Sequence, residues 1–207
     1  MQEIPSVTKT CFLVPTDYDF GGTSHALDEA LLNFSKADVV SAEGHHSSFA
    51  INVVLKDLAF HNFTHVLIAS NKAISYLDED VVRRAMAQFG VGMRVVGVRI
   101  KELDDVHEMQ IENTLAFWEL NALKRVGWFD SEVGVEEITP LIRITRKYGQ
   151  CAALISGVDG QLSIRHSEDG RNRHKEVKET KRERQEKEAQ RAGKTIEWLN
   201  RHIEIVE

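Results

Sequence analysis

The sequence has very little cysteine. Of its 207 residues only Cys11 and Cys151 are cysteines, and each lies in a short apolar run typical of a strand. Two cysteines so far apart form neither a disulfide framework nor a zinc cluster. We therefore expect two buried free thiols in a reducing cytoplasm, and the class of small disulfide-stapled secreted domains is excluded.

Long apolar runs and targeting signals are also lacking. No apolar stretch approaches the roughly 20 residues that a transmembrane helix needs. The first ten residues, MQEIPSVTKT, have neither the charged start nor the apolar centre of a secretory signal. We therefore expect no membrane span and a cytoplasmic location.

Positive charge is not in excess, and there are no internal repeats or low-complexity linkers. The formal net charge of −6 gives no electrostatic reason for attraction to nucleic acid, so we expect no nucleic-acid partner. A composition of 42% hydrophobic and 28% charged residues is that of a globular protein. The length allows one domain, predicted over 1–165, with an appended tail over 166–207.

What the sequence does contain is an alternation of short apolar strands with amphipathic helices. Strands are predicted near 11–15, 38–42, 65–69 and 94–99, and helices over 25–34, 49–61 and 78–89. This alternation predicts an α/β fold, with a mostly parallel sheet covered by helices on both faces. Ligands of such sheets bind beyond the carboxyl ends of the strands, so the polar loops there should surround one crevice.

The stretch from Phe117 to Ile155 is the most informative for chemistry. A predicted helix runs into Gly127 and a Trp128-Phe129-Asp130 turn, and the acidic pair Glu136-Glu137 then opens a second helix. That helix should turn Leu141, Ile142, Ile144 and Thr145 inward and end at Gly149, before an apolar strand over 151–155. The helix dipole favours carboxylates at this end by about 0.3 to 1 kcal/mol, so helix-terminal charge is one interpretation of the pair. A catalytic role is the other.

The tail is strongly charged and then amphipathic. Both signs of charge are interspersed over 171–191, which is typical of a solvent-exposed helix, with a nucleic-acid arm as the alternative. Within 195–206, Ile196, Leu199 and Ile203 share one helical face. That face should dock on the body or on a second subunit, so a homo-oligomer formed through the C-terminal helix remains open.

Four segments resemble the GT-A-type nucleotide-diphosphosugar glycosyltransferases, in particular the inverting enzymes with a family-2-like layout. They are LVPTDYD, VVSAEG, FAINVVLKDLAFHNFTHVLIASN and FWELNALKRVGWFDSEVGVEEITPLIRITRKYG. The resemblance spans about residues 10 to 155 and implies a nucleotide-diphosphosugar transferase-like fold. It implies a nucleotide-sugar donor and an acceptor of unknown identity. The donor-binding residues would be Thr16, Asp17, Asp19, Glu43, Asn52, Asn71 and Lys72.

The same resemblance implies the catalytic and acceptor residues. Glu137, with Glu136 beside it, takes the place of the catalytic base, and Trp118, Trp128 and Asp130 lie near the acceptor. Inverting transfer needs a carboxylate that accepts the proton of the attacking hydroxyl. The charge that develops on the leaving nucleoside diphosphate must also be neutralised, by a metal or by basic side chains.

The chain departs from the family pattern where the family binds Mn²⁺ or Mg²⁺. The family ends its third strand with two aspartates, whereas this chain has Ser70-Asn71-Lys72 and no carboxylate before Asp78. Lys72 could neutralise the diphosphate directly, and His166 is the candidate for a remaining metal ligand. A catalytically silent relative, which binds a nucleotide sugar or acts as an interaction subunit, is the alternative function.

Overall fold

A computed structural model describes residues 10–16, 38–43, 48–69, 78–100, 111, 115–129, 136–158 and 182–207. Within these residues seven strands form one sheet in the order β2-β1-β3-β5-β4-β6-β7. The strands are β1 (Thr10–Thr16), β2 (Asp38–Glu43), β3 (His65–Ala69), β4 (Val95–Ile100), β5 (Leu115–Glu119), β6 (Ala152–Val158) and β7 (Ile203–Val206).

The sheet is mixed. β1 pairs in parallel with β2 and β3, and β6 pairs in parallel with β4 and β7. β5 runs antiparallel to both of its neighbours, β3 and β4. The sequence predicted a mostly parallel sheet, and this prediction is wrong because β5 makes the sheet mixed. The α/β class is confirmed. The four strands predicted near 11–15, 38–42, 65–69 and 94–99 are also confirmed.

Helices cover both faces of the sheet, as the alternation predicts. They are α1 (Ser48–Phe60), α2 (Glu79–Gly90), α3 (Leu120–Val126), α4 (Ile138–Tyr148), α5 (residues 182–191) and α6 (Ile196–Asn200). The buried side chains of α2 pack with one face of the strands, and those of α1, α3, α4, α5 and α6 pack with the other. The predicted helix over 25–34 lies outside the described residues.

The helix after the acidic pair has the inward face that its spacing predicts. Leu141, Ile142, Ile144 and Thr145 are all buried. Glycines end this helix and the one before it, because Gly127 and Gly149 adopt φ values of 97° and 79°, which disfavour other residues.

Two segments that were predicted as helices are partly β-strand. The segment that leads into Gly127 begins as β5 and becomes helical only at Leu120. The tail segment over 195–206 is the short helix α6 followed by β7, which extends the sheet beside β6. Ile203 therefore reaches the core from a strand and not from a helix.

The tail packs onto the body of the same chain. Ala189, Leu199 and Ile203 are buried in the same cluster as residues of β5 and α4. α5 is not the fully solvated helix that its charge pattern predicts, because Gln185 and Glu188 on one face are buried as well. The domain boundary predicted at 165 falls outside the described residues and stays a prediction.

Candidate functional site

The carboxyl edge of the sheet, where all strands except β5 end, is the place at which the candidate site was expected. β1 and β2 end there side by side, and their last residues, Thr16 and Glu43, are partners in the parallel register. Both residues were predicted to bind the nucleotide. Their backbone positions are therefore adjacent, as a shared pocket requires.

The acidic pair lies immediately before α4. Glu136 and Glu137 are only 8% and 2% exposed, which is unusual for carboxylates. The carbonyl oxygen of Glu137 accepts the first hydrogen bond of the helix, from the amide of Leu141 at 3.1 Å. Its carboxylate makes no capping hydrogen bond to the helix. The pair is thus held at the positive end of a helix dipole without the carboxylate of Glu137 serving as a cap.

The direction of α4 places this pair toward the carboxyl edge. α4 ends at Tyr148, whose ring lies 5.4 Å from the guanidinium carbon of Arg94, just before β4 begins. The last turn of α4 is therefore at the amino edge of the sheet. An 11-residue helix is about 16 Å long, so its first turn lies toward the opposite edge.

The first turn of α4 is tied to the tail, which the sequence reasoning missed. Thr139 Oγ1 donates a hydrogen bond to Glu188 Oε1 of α5 at 2.5 Å. Glu188 Oε2 lies 3.3 Å from a guanidinium nitrogen of Arg191. A sequence signal existed: Gln185, Ala189 and Ala192 recur at helical spacing as the less polar positions of a highly charged helix.

The side chain of Asn52 is hydrogen-bonded to the turn after α3. Its side-chain nitrogen donates to the carbonyl oxygen of Phe129, and its side-chain oxygen accepts from the Phe129 amide at 3.1 Å. Both ends of the amide group are thus used to hold the turn after α3. Asn52 thus has a positioning role in the turn, and its expected contact with a nucleotide stays a prediction.

Neither tryptophan of the expected acceptor site is fully exposed. Trp118 is completely buried in β5, and its ring packs edge-on against that of Phe129 with centroids 5.1 Å apart. Trp118 is therefore part of the core, and its expected place near an acceptor stays a prediction. Trp128 is partly buried against the same cluster, with a left-handed φ of 69°.

The remaining predicted site residues lie outside the described part of the chain. They are Asp17, Asp19, Asn71, Lys72, Asp130 and His166. Among the residues that are described, no three His, Cys, Asp or Glu side chains come together as a metal site needs. The described helices also include none with the length and apolar character to cross a membrane.

A second polar cluster lies at the amino edge, opposite the acidic pair. Arg94 and Glu119 form an ion pair of 2.6 Å there. Burial lowers the pKa of His65, an effect that Glu119 opposes and Arg94 reinforces. Burial also raises the pKa of the Cys151 thiol to about 11. These side chains lie where β3, β4 and β6 begin and β5 ends, away from the edge at which the nucleotide site is expected.

Comparison with solved structures supports a glycosyltransferase-like fold. The chain is similar to a mannosyltransferase from Pyrobaculum calidifontis, solved in complex with GDP-mannose and Mn²⁺, with a TM-score of 0.51 and 14% identity. The match covers 68% of this chain and 52% of the mannosyltransferase, so this chain spans about half the length of that protein. Protein A197 from STIV aligns with a TM-score of 0.44 and 14% identity, over 57% of this chain and 69% of that protein.

Sequence comparison adds no further relative. No protein-family profile matches the chain, and no curated sequence is detectably similar to it. The comparisons therefore show the fold alone, an α/β structure similar to that of a glycosyltransferase.

Proposed function

We propose that this protein is an inverting glycosyltransferase, which moves a sugar from a nucleotide-diphosphosugar donor to an acceptor hydroxyl. The observation that carries the proposal is the placement of Glu137 within a glycosyltransferase-like fold. This carboxylate is buried at the start of α4, at the positive end of the helix. The start of α4 lies toward the carboxyl edge of the sheet, the edge at which Thr16 and Glu43 end their strands.

Each proposed residue has a chemical task. Glu137 accepts the proton of the acceptor hydroxyl while the hydroxyl oxygen attacks the anomeric carbon. Thr16 and Glu43 bind the nucleotide, together with Asp17 and Asp19, which follow Thr16 closely in the sequence. Lys72 places its charge on the diphosphate as it leaves.

The donor atoms of this chain do not fit a divalent cation of the usual kind. Mn²⁺ and Mg²⁺ in such sites prefer carboxylate oxygens, and Ser70-Asn71-Lys72 supplies a hydroxyl, an amide and a positive charge. We therefore propose that transfer proceeds with Lys72 as the main partner of the diphosphate.

Substitution of the acidic pair tests the proposal. Wild type is first assayed for transfer and hydrolysis against a panel of nucleotide sugars, with and without Mn²⁺. Glu137→Gln should then lower kcat by roughly 10² to 10⁴-fold with nucleotide affinity little changed, as expected for a lost general base. Glu136→Gln should be milder, because adjacent helix-start residues point about 100° apart. Glu204→Gln, an exposed glutamate in β7, is the control for the same chemical change.

The role of Lys72 is tested in the same assay. EDTA should reduce turnover little, and Lys72→Ala should reduce it strongly. Full activity in Glu137→Gln would remove the catalytic assignment, and loss of activity in EDTA would overturn the proposed role of Lys72.

A second candidate is a catalytically silent protein that binds a nucleotide sugar. The observation that favours it is the burial of Glu137, which at 2% exposure has little surface to offer an acceptor. Calorimetry separates the two functions, since a silent protein should bind one nucleotide tightly while no donor is turned over. Glu43→Ala should weaken binding of uridine or guanosine diphosphate in both cases. Absence of any nucleotide binding at millimolar concentration would contradict both.

A further inference from the structure

The buried hydrogen bond between α4 and the tail joins two parts of the chain that are far apart in sequence. Thr139 and Glu188 are 4% and 8% exposed, and their oxygens are 2.5 Å apart. A buried carboxylate is costly unless it is paired, and Glu188 has a second partner in Arg191. Hydrogen bonds to an ionised acceptor are shorter and stronger than neutral ones. Glu188 therefore fixes the position of the Thr139 side chain.

We infer that Glu188 is a positioning residue for the candidate site, and that the tail completes this site by holding the first turn of α4. The inference rests on the proposed role of Glu137. Thr139 lies two residues after Glu137, within the turn that Glu137 opens with its own carbonyl oxygen. Any shift of this turn carries the Glu137 backbone with it.

The tail itself is well fixed, as a positioning element must be. Glu186 of α5 accepts a hydrogen bond from the amide of Ile196 at 3.2 Å, which joins α5 to α6. The carbonyl oxygen of Gly193 lies 3.4 Å from a guanidinium nitrogen of Arg146, near the last turn of α4. The tail thus contacts α4 at its first turn through Glu188 and near its last turn through Gly193.

A second buried threonine on α4 shows that the fold does not require every such hydroxyl to be bonded. Thr145 is 3% exposed, and its hydroxyl has no hydrogen-bond partner within the described residues. The bonded threonine is the one beside the acidic pair. A misplacement of about 1 Å in a catalytic group can cost on the order of 10²-fold in rate, so a fixed first turn matters for catalysis.

The test compares three isosteric or near-isosteric variants. Thr139→Val removes the hydroxyl and should lower kcat by about 10 to 100-fold, with KM and nucleotide affinity within about twofold of wild type. Thr139→Ser retains the hydroxyl and should keep most of the activity. Thr145→Val removes an unbonded hydroxyl from the same helix and should leave kcat unchanged.

Two further measurements separate positioning from simple destabilisation. Glu188→Leu should lower kcat about as much as Thr139→Val, and the double variant should lose no more than either single one. Hydrogen exchange at the Leu141 amide, which is bonded to the Glu137 carbonyl oxygen, should be faster in Thr139→Val than in Thr139→Ser or Thr145→Val.

The exchange measurement also keeps this inference distinct from the proposed function. If wild type transfers sugar from no donor, the proposed function fails, and exchange at Leu141 still decides whether the tail holds the turn. Unchanged exchange in Thr139→Val would overturn the positioning role. So would a kcat equal to that of wild type, or an equal loss of kcat in Thr139→Val and Thr145→Val.

Discussion

His65, the first residue of β3, shows how the fold acts on a single titratable side chain. Its ring lies 4.3 Å from that of Phe89, and its Nδ1 is 2.9 Å from the Thr64 hydroxyl. Burial lowers its pKa below the ordinary value of 6.5, which Glu119 partly offsets and Arg94 reinforces. The native state therefore prefers the neutral imidazole more strongly than the unfolded chain does.

This preference gives a pH dependence of stability with a definite sign. Below pH 6.5 the unfolded state binds a proton at His65 more readily than the native state, so the free energy of unfolding falls as the pH is lowered. The contribution of His65 is fully present above that value and is lost as the pH falls toward the native pKa. Urea unfolding between about pH 7 and pH 5 should therefore show a steeper loss for wild type than for His65→Gln. Equal slopes for the two proteins would contradict this.

Cys151 gives a second prediction for a single residue. The thiol is 2% exposed, and burial raises its pKa to about 11. Since the thiolate is the reactive form, native Cys151 should resist alkylation by iodoacetamide at pH 8 and react readily in concentrated urea. Mass mapping of the peptide that contains Cys151 separates it from Cys11. Rapid modification of this peptide in the native protein would show that the thiol is accessible.

At the scale of elements, the sequence predicts strands well when polar residues separate them from their neighbours. It predicts poorly where a strand and a helix follow each other directly. β3 is bounded by polar residues and was found at 65–69 as predicted. β5 runs directly into α3 between Glu119 and Leu120, with no glycine or proline to mark the change. In the tail, Leu199 and Ile203 fit a helical spacing, while Ile203 and Ile205 fit the alternation of a strand equally well. The pairing of β7 with β6 decides between these, and that is a tertiary interaction.

For the candidate site, too, the sequence predicts the local secondary structure but not the long-range contacts. Local pattern placed Glu136 and Glu137 at the start of a helix, which the structure confirms. It did not reveal that Trp118 faces the core, because the side of a sheet to which a residue points depends on its neighbours. The contact of Glu188 with Thr139 spans 49 residues, and no local pattern encodes such a distance.

The centre of β4 has too little space for a side chain at Gly97. A Cβ atom there would lie 2.8 Å from Cγ1 of Ile111, which is fully buried. Gly97→Ala should therefore destabilise the protein by about 1 to 3 kcal/mol, the usual cost of overpacking. Urea unfolding measures this cost. Gly90→Ala is the matched control, because a Cβ at Gly90 would meet nothing within 4 Å.

A double-mutant cycle tests the cause of that cost. Ile111→Ala removes the two γ-carbons that the new methyl group would meet, so Gly97→Ala should cost about 0.5 to 3 kcal/mol less in that background. Equal costs in both backgrounds would show that the γ-carbons of Ile111 are not the cause, because Ile111→Ala keeps only the Cβ atom, 3.2 Å from the new methyl group.

For the whole molecule, the question is whether the tail and the body unfold together. Leu199 of α6 and Ile203 of β7 lie in one buried cluster with Leu154 of β6 and Trp118 of β5. α5 adds Ala189 to this cluster. A cluster shared in this way couples its members, because loss of the tail would expose the apolar side chains that it covers.

We therefore expect a substitution in the tail to destabilise the sheet as well. Leu199→Ala should lower the free energy of unfolding by about 2 to 5 kcal/mol, as for other buried leucines. Ile205→Ala, at a site that is 53% exposed in the same tail, should cost much less. Native-state hydrogen exchange should show amides of β6 and β7 losing protection together in Leu199→Ala. If β7 opens while β6 keeps its protection, the tail is an independent unit, and the boundary predicted at residue 165 separates two domains.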